Sequence, residues 1–228
     1  MIKRLTRILI GVVVGLLALA GLVWLLSRTL GSHTVLYAGK PIDYWRQQLS
    51  GKDITASNQA YAIVSSQVIP QLLHTIFQDT NDSQLRLGIL KFLNTLPGVQ
   101  IDFVQADARR AWAVGELGQL GPPARAAVPD LIRVAKGKDL DLRDPALFAL
   151  GDIHSEPDLV IPVLIGFLDD DAVKDGAAQA LGDYGLLAKA ALPKLLPLCH
   201  SKDKEVRNAA RNAVKKIDPA QAAKAAFN

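Results

Sequence analysis

The chain has 228 residues, half of them hydrophobic and few aromatic; alanine and leucine abound, a balance that favours helices over a β sandwich. Its formal charge of +4 is local: Lys3, Arg4, Arg7 and Arg28 precede any acid, and setting those four aside leaves 22 basic residues against 22 acidic ones. A neutral body lacks the electrostatic footprint of a nucleic-acid binder, and a single cysteine excludes an intrachain disulfide.

Residues 1–28 read as a membrane anchor. MIKRLTR leads into residues 8–26, nineteen positions without a charge. A helix of that length spans roughly 28 Å, close to the hydrocarbon thickness of a bilayer. More basic residues precede the run than follow it, so the N-terminus is expected in the cytoplasm and residues 29–228 in the periplasm or outside the cell. Trp24 falls near the outer end, a common place for an interfacial indole. A cleaved signal peptide is the competing reading, because Ala18-Leu19-Ala20 has the small-x-small form of a cleavage site. The apolar run continues past it, and both readings export the domain.

Residues 29–56 form a lead-in, with Tyr44 and Trp45 expected to cap the open end of whatever follows. Residues 57–105 read as divergent helices, with Pro70-Gln71-Leu72-Leu73 opening one and Leu93 closing another. Only 24 residues separate Leu93 from Leu117, too few for a full helical hairpin, so an irregular stretch is expected around Gly98 to Phe103.

Residues 106–219 are periodic. Leu117, Leu150, Leu181 and Val214 recur at intervals of 33, 31 and 33, and Pro129, Pro162 and Pro193 follow the first three by twelve. Such a period marks stacked two-helix units. Ala113, Ala146, Ala177 and Ala210 stand four residues before the marker. Leu142, Val173 and Val206 stand eight before it, and Ala149, Ala180 and Ala213 one before; Arg109 and Glu116 are the exceptions. These positions make one apolar face of a helix. Each proline is expected to open the other helix of the unit, where its missing N–H costs least. Cys199 occupies a core column of that helix and reads as an inert thiol. Arg110, Arg143, Lys174 and Arg207 stand seven before the marker, and Asp139, Asp170 and Asp203 lie four residues before three of them. These aspartates can cap a helix or pair with a cation of the same or adjacent unit. Residues 220–228 are a C-terminal tail.

The stretches VPDLIRVAKGKDLDLRDPALFALG, IPVLIGFLDDDAVKDGAAQALG and LPKLLPLCHSKDKEVRNAARNAV resemble the HEAT repeat family. They share a proline-led helix, an Asp turn, Val-Arg, and an alanine-rich helix ending in Ala-Leu-Gly. The resemblance covers about 107–217 and extends more loosely to 70–93. AGKPIDYWRQQL, 38–49, looks like the lead-in of exported bacterial proteins of this type. The resemblance implies an all-α, right-handed α-α superhelix, here preceded by one transmembrane helix.

Other chemistry is outweighed by plainer readings. Asp152, His154, Glu156 and Asp158 fill a loop and read as a polar turn rather than a metal site. Cys199 and His200 are adjacent on a helix and point about 100° apart, which disfavours a nucleophile–base pair. GELGQLG, 115–121, ends a helix, so its glycines read as terminators, not as a phosphate loop. Asp169-Asp170-Asp171 reads as a solvated turn rather than a calcium loop, and His33 and His74 have no partner at informative spacing.

A partner is expected on the outward columns of the second helices, six and two residues before the marker. These hold Asp144 and Phe148, Asp175 and Gln179, Asn208 and Asn212, each pair at i, i+4. The mixed polar stripe, with Phe148 expected to be exposed, suits a protein or peptide ligand. The expected function is a membrane-tethered, extracytoplasmic binding scaffold without catalysis, cofactor or metal. The alternatives are a structural envelope component and an enzyme or enzyme accessory. Some HEAT-like families are lyases for linear tetrapyrroles or DNA-alkylation repair proteins. Repair conflicts with the neutral, exported body, and a lyase would need an acid–base constellation that the sequence does not display.

Overall fold

The computed structural model describes residues 35–96 and 99–224, with Gly21 as an isolated position. Apart from Gly21, the expected membrane segment 8–26 therefore lies outside the described residues. Among those described, no helix is long and apolar enough to cross a membrane. Its regular structure among the described residues is helical apart from one two-stranded ribbon.

That ribbon pairs β1 (Leu36–Tyr37) with β2 (Lys40–Pro41), antiparallel, with Tyr37 opposite Lys40. Ala38 and Gly39 at its tip both take positive φ, 47° and 78°, the requirement of a tight two-residue hairpin turn. Helix α1 (Ile42–Leu49) follows and buries Ile42 and Trp45. The Trp45 indole N–H donates to the Tyr37 carbonyl at 2.8 Å, so the lead-in closes on itself before packing into the core.

Helix α2 (Ile54–Ile63) is capped by Asp53, whose carboxylate accepts from the N–H groups of Thr55 and Ala56. It runs through a π turn, Val64–Val68, into α3 (Ile69–Gln78). Pro70 explains the wide turn: its ring cannot sit beneath a normal i−4 carbonyl, so the helix widens in the preceding residues.

Residues 81–106 form a unit of their own, distinct from the larger unit of 35–80 and 107–224. In the smaller unit α4 (Gln84–Leu93) places Leu90 and Leu93 against Ile101. Residues 99–105 are not helical, in the irregular stretch that the short spacing predicts. The Asn94 side chain fixes them: its amide oxygen accepts from Ile101 N–H at 2.8 Å and its NH₂ donates to Ile101 O at 3.2 Å.

The larger unit continues with α5 (Ala106–Gln119), α6 (Val128–Ala135), α7 (Leu140–Ile153), α8 (Pro157–Phe167), α9 (Lys174–Asp183), α10 (Leu192–Leu198), α11 (Lys204–Ile217) and α12 (Pro219–Lys224). Short 3₁₀ turns, Pro122–Ala127 and Gly185–Ala191, lead into α6 and α10. Helices α6 and α7, α8 and α9, and α10 and α11 pack as hairpins, while α9 touches both α7 and α11. Leu117, Leu150, Leu181 and Val214 are fully buried, as are Ala113, Ala146, Ala177 and Ala210.

The packing has a fixed register. A methyl group on Gly118 would stand 3.0 Å from Ala149 Cα, on Gly151 3.1 Å from Ala180 Cα, and on Gly182 2.9 Å from Ala213 Cα. The glycine of each Ala-Leu-Gly-type triplet thus receives the alanine one residue before the next unit's marker. This contact corrects the expectation that the glycines stop helices. Gly115 and Gly118 lie inside α5, and only Gly121, with φ of 64°, terminates it.

One further expectation changes. Pro129 and Pro193 open α6 and α10, but Pro162 lies inside α8, because Pro157 takes the opening position five residues earlier. The C-terminal tail is helical as far as Lys224 and buries Ala222.

Candidate partner-binding face

The arginine column forms the scaffold of the site. Arg143 on α7 donates from Nε to Ala135 O, the last residue of α6, at 3.0 Å. Arg110 on α5 does the same to Ile76 O near the end of α3 at 2.9 Å. On α11 the column's own Arg207 donates instead to Ser201 O at 2.6 Å, and Arg211, outside the column, donates to Cys199 O at 3.0 Å. In these pairs, though not in α8–α9, an arginine of the second helix thereby satisfies a carbonyl left open at the end of the first.

The remaining guanidinium nitrogens reach forward. Arg110 pairs with Asp139 at 2.7 Å, and Arg143 pairs with Asp170. Each aspartate belongs to the next loop, so the ladder links adjacent units. Arg143 and the Ala172 N–H hold the Asp170 carboxyl below the usual range. Asp203 caps α11 through Glu205 and Val206 N–H as expected, but Asp139 makes no side-chain cap, because its carboxylate is engaged by Arg110. The third cation, Lys174, bonds Asp171 of its own loop, which raises its pKa.

This edge fixes α7, α9 and α11 side by side. Of the six candidate residues, Gln179, Asn208 and Asn212 are exposed, while Asp144, Phe148 and Asp175 are half-buried. Phe148 is therefore not the exposed ring expected: α7 lies between α5 and α9, and a side chain of that size loses surface to its neighbours. Asp144 folds toward α9, where a methyl group on Gly176 would stand 2.6 Å from its Oδ1. That oxygen is buried and has no hydrogen-bond donor. Burial first, and then the charge of Asp175, push the Asp144 carboxyl above its usual range.

The stripe extends one turn further than the sequence reading placed it. Asp152, Asp183 and Lys216 stand four residues after Phe148, Gln179 and Asn212. Lys216 pairs with Asp183 at 2.7 Å, and Asp152 is pushed upward by burial and by Asp183. The same helical period could have found this third column.

The remaining motifs resolve as packing. His154 and Glu156 take left-handed backbone, φ of 48° and 52°, and turn the 152–158 loop sharply. The His154 ring stacks on Tyr184 at 4.9 Å between centroids, and Glu156 pairs with Arg125. Tyr184 is buried, donates to Ser155 O at 2.7 Å and lies 3.2 Å from Leu150 O; burial pushes its pKa up to about 12. Asp169, Asp170 and Asp171 each face a different cation, Lys194, Arg143 and Lys174. Cys199 is fully buried and its thiol is raised by desolvation, whereas the neighbouring His200 is exposed. Among the described residues no group of three or more His, Cys, Asp or Glu is placed to hold a metal ion.

His74 lines an open groove of about 570 Å³ between α3 and α6. Its walls are already engaged with each other: the Arg133 guanidinium lies 4.1 Å from the Phe77 ring centroid and pairs with Asp130 at 2.7 Å. Gln179, Asn208 and Asn212, by contrast, make no side-chain bond that would occupy them. No protein-family model matches this chain, and no curated protein matches it.

Proposed function

We propose that the protein is a membrane-tethered HEAT-like α-solenoid that binds a protein or peptide partner outside the cytoplasm, without catalysis. In this reading the hairpins of 106–219 build a right-handed superhelix, and residues 8–26 hold it at the bilayer. The observation that carries it is the repeated glycine-on-alanine register of Gly118, Gly151 and Gly182. Identical contacts in series align the second helices and leave one face of α7, α9 and α11 uncovered, the arrangement that stacked-repeat proteins use for binding.

The chemistry of that face favours a polypeptide ligand. Asn208, Asn212 and Gln179 offer both donors and acceptors, matching a peptide backbone, and half-buried Phe148 supplies an apolar contact among them. The nineteen uncharged residues and the preceding cations support the tether and its orientation.

The test is photo-cross-linking in intact cells, with the reactive group at Gln179 or Asn212 and a control at exposed Leu187. The same partner is expected from the two face positions and not from the control. A product pattern identical at all three positions, or none at any, would remove the face as the binding site.

A further inference from the structure

We infer that the hairpin at the start of the domain docks on the bilayer surface, placing Leu36 and Tyr44 in the headgroup layer. The inference rests on the membrane-anchor reading of residues 8–26 and adds an orientation to it.

The first argument is reach. Eight residues, 27–34, separate the end of the apolar run from Val35. Fully extended, they span roughly 30 Å, less than the width of a domain this size. The hairpin is thus the part of the domain closest to the membrane along the chain. A short tether also raises the effective concentration of surface and patch into the millimolar range, so a weak contact suffices.

The second argument is what the hairpin exposes. Leu36 is 58 % exposed although it sits in a paired strand, and Val35 and Tyr44 are each 38 % exposed. Tyr44 is held edge-on against buried Trp45, with ring centroids 5.0 Å apart. Lys40 Nζ lies 5.4 Å from the Tyr44 ring centroid. Exposed aliphatic side chains where the chain enters the ribbon, and a phenol beside an ammonium, are groups that membrane interfaces accept: the apolar parts enter, and the polar ends meet phosphate and water. The neighbouring acid, Asp43, is paired with Arg46 at 3.2 Å and does not oppose Lys40. With charges this balanced, zwitterionic lipid is enough.

The experiment uses the full chain in phosphatidylcholine vesicles containing a headgroup spin-labelled lipid. An environment-sensitive fluorophore is attached at Val35→Cys or, as a distal reference, at Leu187→Cys; buried Cys199 is left in place. The expected result is quenching and a blue shift at position 35 and neither at position 187. Adding Leu36→Glu and Tyr44→Glu should abolish both signals at position 35 while the protein still floats with the vesicles. Floating protein with equal emission at the two positions overturns the docking and leaves the anchor standing. Protein that does not float overturns the anchor, and the docking with it.

Discussion

Gly182→Ala is the sharpest test of the serial packing. In an exposed helix interior this change is favourable by about 1 kcal/mol, because alanine restricts the unfolded chain and suits the helix. At Gly182 the new methyl would meet Ala213 Cα at 2.9 Å, Ala213 Cβ at 3.3 Å and Lys216 Cδ at 3.5 Å. The first is backbone and cannot swing aside, so α9 and α11 must separate. Overpacking of this kind costs about 1–3 kcal/mol and outweighs the helix gain. Gly115 is the control, a helical glycine with nothing within 4 Å of the added carbon. Thermal unfolding of the full chain, followed by circular dichroism in one detergent, should show Gly115→Ala rising and Gly182→Ala falling. The separation should be several degrees, at about 2–4 °C per kcal/mol for a domain of this size. Equal rises in both variants would refute the close approach and the register built on it.

Arg143→Met strands the Ala135 carbonyl and the Asp170 carboxylate, and should cost about 1.5–3 kcal/mol in urea unfolding, with an unchanged midpoint counting against the ladder. The depressed Asp170 carboxyl contributes stability that is complete above the ordinary carboxylate pKa of about 3.9 and is lost as pH falls through its folded value. The gap between the parent and Asp170→Asn should therefore hold at neutral pH and close in acid. Asp144 has the opposite sign, since its folded pKa is raised. Asp144→Asn should raise the melting temperature at neutral pH, and the advantage should fade as pH drops through that raised value towards the ordinary one. Tyr184→Phe removes the hydroxyl bonded to Ser155 O and should lower stability by about 1 kcal/mol; no change would deny that bond a structural role.

The repeat was legible because each marker column is a packing requirement restated every thirty-odd residues. Leu150, Ala146 and Leu142 name the buried face of α7 without help from the rest of the chain, and all three are buried. The forward pairing of Arg110 with Asp139 was legible only as one of two options, since spacing cannot say which unit supplies the acid. Pro162 misled because a second proline at 157 competes for the helix start, a local choice that the period does not encode. Phe148 misled for another reason: an outward column predicts direction, while exposure also depends on neighbours that stand close. Asp152, Asp183 and Lys216 were within reach of the same periodic argument. The partner of Arg46 was not, because Glu116 follows it by 70 residues and belongs to no shared period.

That last pair has a consequence for biogenesis. Among the described residues nearly all side-chain links join positions no more than about one repeat apart, so most of the domain can assemble as it is synthesised, each hairpin settling on the one before. The Arg46–Glu116 bond cannot, and Glu116 is buried where an uncompensated charge is costly. The lead-in around Arg46 must wait for α5 before it can be locked. Translation intermediates arrested before residue 116 should leave 35–49 open to protease, and those arrested well beyond it should protect the same stretch.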